Sequence, residues 1–101
     1  MNRSERKYKR VHVPMPLIVA VLNDDSSVQS EEEGTLYDLS AGGCAFYLNR
    51  EIPIGQRVQV RITLAQLLAR RFMKPELTAR GAICRIERHE NRYLLGCRFF
   101  K

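Results

Sequence analysis

The sequence contains no tryptophan and only three cysteines, four phenylalanines and four tyrosines. Cys44, Cys84 and Cys97 are odd in number and widely spaced, whereas the disulfide framework of a small secreted domain needs an even count. No closely spaced cysteine pair supplies half of a zinc site, so a site of three cysteines with His12 or His89 is disfavoured. Each cysteine reads instead as a small buried hydrophobe within an apolar strand. Long hydrophobic runs are also missing. The longest, from Pro14 to Leu22, falls far short of the ~20 residues a membrane span requires. The stretch from Met1 to Arg10 is charged and is not followed by the apolar core of a secretory leader, so none is expected. A soluble, cytoplasmic chain is expected. No phosphate loop is present, and no motif groups a nucleophile with a base and its orienting partner, so an enzyme is disfavoured.

What is present suits one small domain: 101 residues, 45% hydrophobic and 28% charged. Seventeen Lys and Arg against eleven Asp and Glu leave a net charge of +6, which favours anionic partners such as nucleotides, nucleic acid or acidic lipid. The charges are segregated. Arg3, Arg6, Lys7, Lys9 and Arg10 face only Glu5 in the first ten residues, while Asp24 to Glu33 holds five acids and no base. Residues 1–12 are expected to be a flexible basic arm and residues 13–101 the folded domain.

Within that domain Val13–Leu22 is rich in β-branched and apolar residues with prolines at its leading edge, as a first strand tolerates. Asn23–Ser30 is polar and reads as a loop. Glu33–Leu39 and Cys44–Leu48 are extended runs around the small, glycine-rich connection Ser40-Ala41-Gly42-Gly43, which has hairpin composition. Pro53 and Gly55 mark a turn. Val58, Val60, Ile62 and Leu64 then alternate with polar residues at period two, the pattern of a half-buried strand. Leu64, Leu67, Leu68 and Phe72 fall at helical spacing, so a short helical turn is expected before Pro75. Leu77–Ile86 and Arg92–Phe100, joined by a polar turn at Arg88–Asn91, complete six strands. Their regular spacing predicts an all-β protein, a small six-stranded antiparallel β-barrel.

Two motifs stand out. Arg6-Lys7-Tyr8-Lys9-Arg10 has the form RxxxR, a spacing that recurs at Arg57/Arg61 and Arg88/Arg92 and is uninformative alone. Asp38-Leu39-Ser40-Ala41-Gly42-Gly43 has the rarer form DxSxxG. Together, with RxxxR ahead of the first strand and DxSxxG between the second and third, the sequence resembles the PilZ domain family. The resemblance extends through Gly55-Gln56-Arg57-Val58-Gln59-Val60 to the closing Leu95-Gly96-Cys97-Arg98-Phe99. Family members usually carry a helix after the last strand, whereas this sequence stops at Lys101.

The resemblance implies a six-stranded barrel that binds the bacterial second messenger cyclic di-GMP, with Arg6, Arg10, Asp38, Ser40 and Gly43 as the ligand-binding residues. No cofactor or metal and an unidentified downstream protein partner are expected. The chemistry of these residues suits that ligand. A guanidinium fork matches phosphate or the O6/N7 edge of guanine. A carboxylate accepts from guanine N1–H and N2–H2, a donor face adenine lacks, with the Ser40 hydroxyl nearby. Gly43 would let the backbone come close to the ligand or adopt positive φ. Tyr8 could stack on a base or pack on the barrel. Arg57, Arg61, Arg85 and Arg88 read as solvated strand faces, although one of them could supply a further phosphate or stacking contact. Two other functions fit the composition: a basic barrel for single-stranded nucleic acid, disfavoured by the lack of an interleaved aromatic platform, and a protein-interaction barrel without a ligand.

Overall fold

A computed structural model describes residues 15–63 and 76–100. They form six strands: β1 (Met15–Leu22), β2 (Val28–Ser40), β3 (Gly43–Leu48), β4 (Arg57–Thr63), β5 (Glu76–His89) and β6 (Arg92–Phe99). Every pairing is antiparallel, and the strands close into a barrel in the order β1-β2-β3-β6-β5-β4, with β4 returning to β1. The architecture is the all-β barrel that the alternating sequence predicts, and no helix occurs among the described residues. The helical turn expected through Leu64, Leu67, Leu68 and Phe72 lies outside them, as does the basic arm.

Period-two alternation carries most of the core. Met15, Leu17, Val19 and Val21 of β1 meet Val58, Val60 and Ile62 of β4 inside the barrel, and Phe46, Leu48 and Leu95 fill the other side. Ile52, from the connection between β3 and β4, is also fully buried.

Two strands are longer than alternation suggests. β2 begins at Val28, because the acidic stretch from Glu31 to Glu33 pairs with Ala20, Val19 and Ile18 of β1. A strand needs its backbone partners more than it needs apolar side chains, so these acids simply occupy a solvated edge of the sheet. The loop therefore shrinks to Asn23–Ser27. It is held by Asn23 N–H donating to the Ser27 carbonyl at 2.8 Å and by the Asp25 carboxylate accepting from the Ser27 hydroxyl at 2.6 Å. The hydroxyl bond keeps the Asp25 carboxyl below its ordinary pKa. β5 likewise runs on to His89, leaving a tight turn at Glu90 and Asn91.

Beyond the register shift where Val21 and Leu22 of β1 pair with Ser30 and Val28 of β2, the pairing is broken at two further places, each a β-bulge. In β2, Leu36 pairs with Phe46 but Asp38 with Ala45, which leaves Tyr37 as the extra residue. In β5, Ile83 pairs with Cys97 but Arg85 with Gly96, which leaves Cys84 as the extra residue. A bulge shifts the phase of every side chain that follows it. Leu36 and Leu39, three apart, consequently both pack on the core, and so do Ile83 and Ile86. The same shift corrects one expectation: Cys84 is exposed, whereas Cys44 and Cys97 are buried as expected. Cys84 has no partner position across the sheet to bury it.

Phe46 is fully buried at the centre of the core. Phe46→Ala should therefore lower the unfolding free energy by about 3–5 kcal/mol, read as a shift of the chemical denaturation midpoint with unchanged slope.

Candidate functional site

The two bulges decide what the outside of the barrel presents. By simple alternation from Leu36, Asp38 would point inward, and from Ile83 so would Arg85. The extra residues turn both outward. The strand registers then align Asp38 (β2), Ala45 (β3), Gly96 (β6) and Arg85 (β5) in one outward row. The next outward row is Ser40, Gly43, Arg98 and Ala82. Successive strands are about 4.8 Å apart and successive rows on one face about 7 Å apart.

Between these rows lies a cleft of about 210 Å³, floored by Gly43, Ala45 and Gly96 and walled by Asp38 on one side and Arg85 and Arg98 on the other. The floor is low because none of its three residues has more than a methyl group for a side chain. Asp38 is only 8% exposed, even though it lies on the outer face. Such burial is unusual for a carboxylate, which is seldom covered without a structural or functional reason. A larger hollow of about 520 Å³ lies between Leu39, Leu77, Ala79, Phe99 and Phe100. It carries no charged side chain and offers little to orient a polar ligand.

The turn that carries the site is fixed from within. The Ser40 hydroxyl oxygen accepts from Gly42 N–H at 3.3 Å, and Phe99 N–H donates to the Gly42 carbonyl at 3.0 Å, which ties the turn to β6. Gly43 is required for close packing. Its φ is not positive, and a Cβ there would collide with the Cys97 carbonyl of β6. The backbone that approaches Gly43 is therefore the neighbouring strand, and the glycine sets how flat the cleft floor can be.

Beneath that floor Cys44 and Cys97 face each other across β3 and β6 inside the barrel. The hydrogen bond between the two thiols, reinforced by burial, pushes the Cys44 pKa well above the ordinary thiol range. The pair belongs to the core packing under the site. Among the described residues no group of three or more His, Cys, Asp or Glu is placed to hold a metal ion. No helix among them is long and apolar enough to cross a membrane.

Of the residues singled out in the sequence, Asp38, Ser40 and Gly43 come together at this cleft. Arg6 and Arg10 lie outside the described residues, as does Tyr8. Arg57 and Arg61, on β4, are not part of the cleft lining. Arg85, read from sequence as a solvated strand face, is part of it, and so are Gly96 and Arg98. The signal that could have found Arg85 is the three-residue spacing of Ile83 and Ile86. In a strand, that spacing means a bulge and a change of face.

What this arrangement can do chemically follows from its parts. A carboxylate and a hydroxyl at one wall accept from a planar donor edge, a low floor admits a flat ring, and two guanidinium groups at the far wall meet anionic or carbonyl oxygens. The model of the PilZ domain family matches residues 4–101. No curated protein sequence matches the chain. Among solved structures, the chain is similar to the Bacillus subtilis inhibitor of motility MotI/DgrA, with a TM-score of 0.74, 16% identity, and coverage of 100% of this chain and 44% of that one. It is similar to the PilZ domain of YcgR from Escherichia coli, solved with c-di-GMP, with a TM-score of 0.64, 22% identity, and coverage of 97% and 79%. It is also similar to the K. pneumonia MrkH–c-di-GMP complex, with a TM-score of 0.64, 14% identity, and coverage of 97% and 44%. The chain thus spans less than half the length of the motility inhibitor and of MrkH.

The different surroundings of the three thiols give a direct check on the bulge in β5. In the folded protein a maleimide reagent should modify Cys84 alone, with Cys44 and Cys97 reacting only in denaturant. Equal reactivity of all three, or protection of Cys84, would contradict the placement of the extra residue.

Proposed function

The chain belongs to the PilZ domain family, and from that premise we propose that it is a cytoplasmic, non-catalytic receptor for cyclic di-GMP. The observation that carries the reading is the cleft in which Asp38 and Ser40 stand beside a floor of glycine and alanine. The YcgR and MrkH structures that resemble this chain hold c-di-GMP.

In this reading Asp38 accepts from guanine N1–H and N2–H2, and Ser40 adds a hydroxyl to the same side. Gly43 keeps the floor flat. Arg6 and Arg10 close over the ligand from the arm and grip phosphate or guanine with their forks. Ordering five arm residues costs roughly 5–10 kcal/mol at 1–2 kcal/mol each, while a charge-assisted hydrogen bond returns about 1.5–3 kcal/mol. Several such bonds are therefore needed together, and only a ligand that offers two guanines and two phosphates supplies them. The arm is loose without ligand and docked with it, and this change is the signal passed to a protein partner.

The reading is tested by calorimetric titration with cyclic di-GMP beside GMP and cyclic di-AMP. We expect binding of cyclic di-GMP at micromolar strength or better, about −8 kcal/mol, and much weaker binding of the other two. Equal affinity for cyclic di-AMP would remove the guanine-reading role of Asp38. The arm's part rests on a rank order. Arg6→Lys and Arg10→Lys keep the charge but lose the fork, and each should weaken binding about ten- to hundredfold. Lys9→Ala should cost less and change the salt dependence more. The reverse order, with steep salt dependence and no base preference, would favour a barrel for single-stranded nucleic acid.

A further inference from the structure

We propose that Arg85 is a second base-contacting residue of the cleft, seated on Gly96 so that its guanidinium faces the guanine held by Asp38. The proposal rests on the cyclic di-GMP reading and deepens it. Neither motif includes either residue.

The geometry begins with Gly96. A Cβ at this position would lie 3.3 Å from Arg85 Cβ, 3.6 Å from its Nε and 3.7 Å from its Cζ. Three atoms spread along one side chain at nearly equal distance mean that Arg85 runs across the surface of Gly96 rather than standing away from it. The guanidinium therefore sits at the level of the cleft floor. Gly96 lies two strands from Asp38 in the same row, a separation of about 10 Å. Subtracting the reach of the Asp38 carboxylate leaves room between the two groups for one flat heterocycle. A cation that served only to attract phosphate would gain nothing from lying this low; a planar group meant to touch a base would.

Arg85 is also available. Its Nε lies 3.8 Å from a Glu87 carboxylate oxygen, and both side chains are about half exposed. An ion pair so long and so exposed contributes little, and Glu87 has a nearer partner in His89 Nε2 at 3.1 Å. The guanidinium can exchange this contact for a ligand at small cost. Arg98, the other cation of the cleft, belongs to the neighbouring row with Gly43 and Ser40, so the Arg85 position is the one aligned with Asp38.

The experiment is calorimetric titration of the full chain with cyclic di-GMP, using wild type, Arg85→Ala, Arg85→Lys, Gly96→Ala and the Arg85→Ala/Gly96→Ala double variant, with melting curves for each. Arg85→Ala should weaken binding about tenfold or more without altering the melting temperature. Arg85→Lys should remain within about threefold of Arg85→Ala, because charge without the plane does not restore the contact. Gly96→Ala should weaken binding through the displaced Arg85 side chain, yet add at most about twofold in the Arg85→Ala background, the non-additivity expected of coupled neighbours. Full rescue by lysine would make Arg85 a point charge and overturn the base contact. Additive effects of the two substitutions would overturn the seat. If wild type binds cyclic di-GMP and Arg85→Ala binds equally well, this proposal fails and the receptor reading stands. If wild type does not bind, both fail. Should Gly96→Ala melt early, the lysine comparison alone decides.

Discussion

The site depends on two bulge residues. Tyr37 and Cys84 each give their strand one residue more than the stretch it pairs with, and each insertion moves the next charged side chain from the inward phase to the outward one. Without the first bulge the Asp38 carboxylate would point into an apolar barrel, where an isolated charge is prohibitively unfavourable. Without the second the same would hold for the Arg85 guanidinium. Because both are turned out, an acid and a base separated by two intervening strands come to share one row. Bulges cost ladder hydrogen bonds and local regularity, and their occurrence beside binding sites is a recurring solution to re-aiming a side chain. Here two such devices on opposite sides of the same four-stranded face build both walls of one cleft.

The intervening strands contribute by what they omit. β3 and β6 pass beneath the cleft with Gly43, Ala45 and Gly96 on the outer side and Cys44, Phe46, Leu95 and Cys97 on the inner side. The same two strands are therefore almost featureless toward the cleft and densely packed toward the core. The residues that line the cleft are on one face and the residues that hold the barrel are on the other. The buried Cys44–Cys97 pair fits this division, since both side chains belong to the core cluster and face each other across the two strands.

Much of this was legible in the sequence, for identifiable reasons. Strand β4 shows in its alternation because its pairings contain no bulge, with Val58, Val60 and Ile62 buried in strict period, and β1 shows because Met15, Leu17, Val19 and Val21 reach the core ahead of its register shift at Val21/Leu22. The turn at Ser40–Gly43 shows in its composition. What escaped was every feature that depends on register. The acidic beginning of β2 has no apolar pattern to announce it, and it is a strand because β1 supplies its hydrogen bonds. Cys84 is exposed, and Arg85 faces the cleft, because a bulge intervenes. The spacings Leu36/Leu39 and Ile83/Ile86 carry that information, but only to a reading that already assumes a strand. Motif reasoning placed Asp38, Ser40 and Gly43 near one another, and the fold adds Gly96 and Arg85 from strands some forty or more residues away in sequence. Arg6 and Arg10 lie outside the described residues, so their part in the site rests on the motif alone.

The central claim is that ligand is read on the outward rows of the β2–β3–β6–β5 face, and amide chemical-shift mapping during titration with cyclic di-GMP tests it most directly. The account predicts saturable shifts centred on Asp38, Ser40, Gly43, Ala45, Arg85 and Gly96, with the outward positions Ile18 and Arg61 on the opposite β1–β4 wall unmoved. Shifts centred on Ile18 and Arg61, or spread evenly around the barrel, would contradict it.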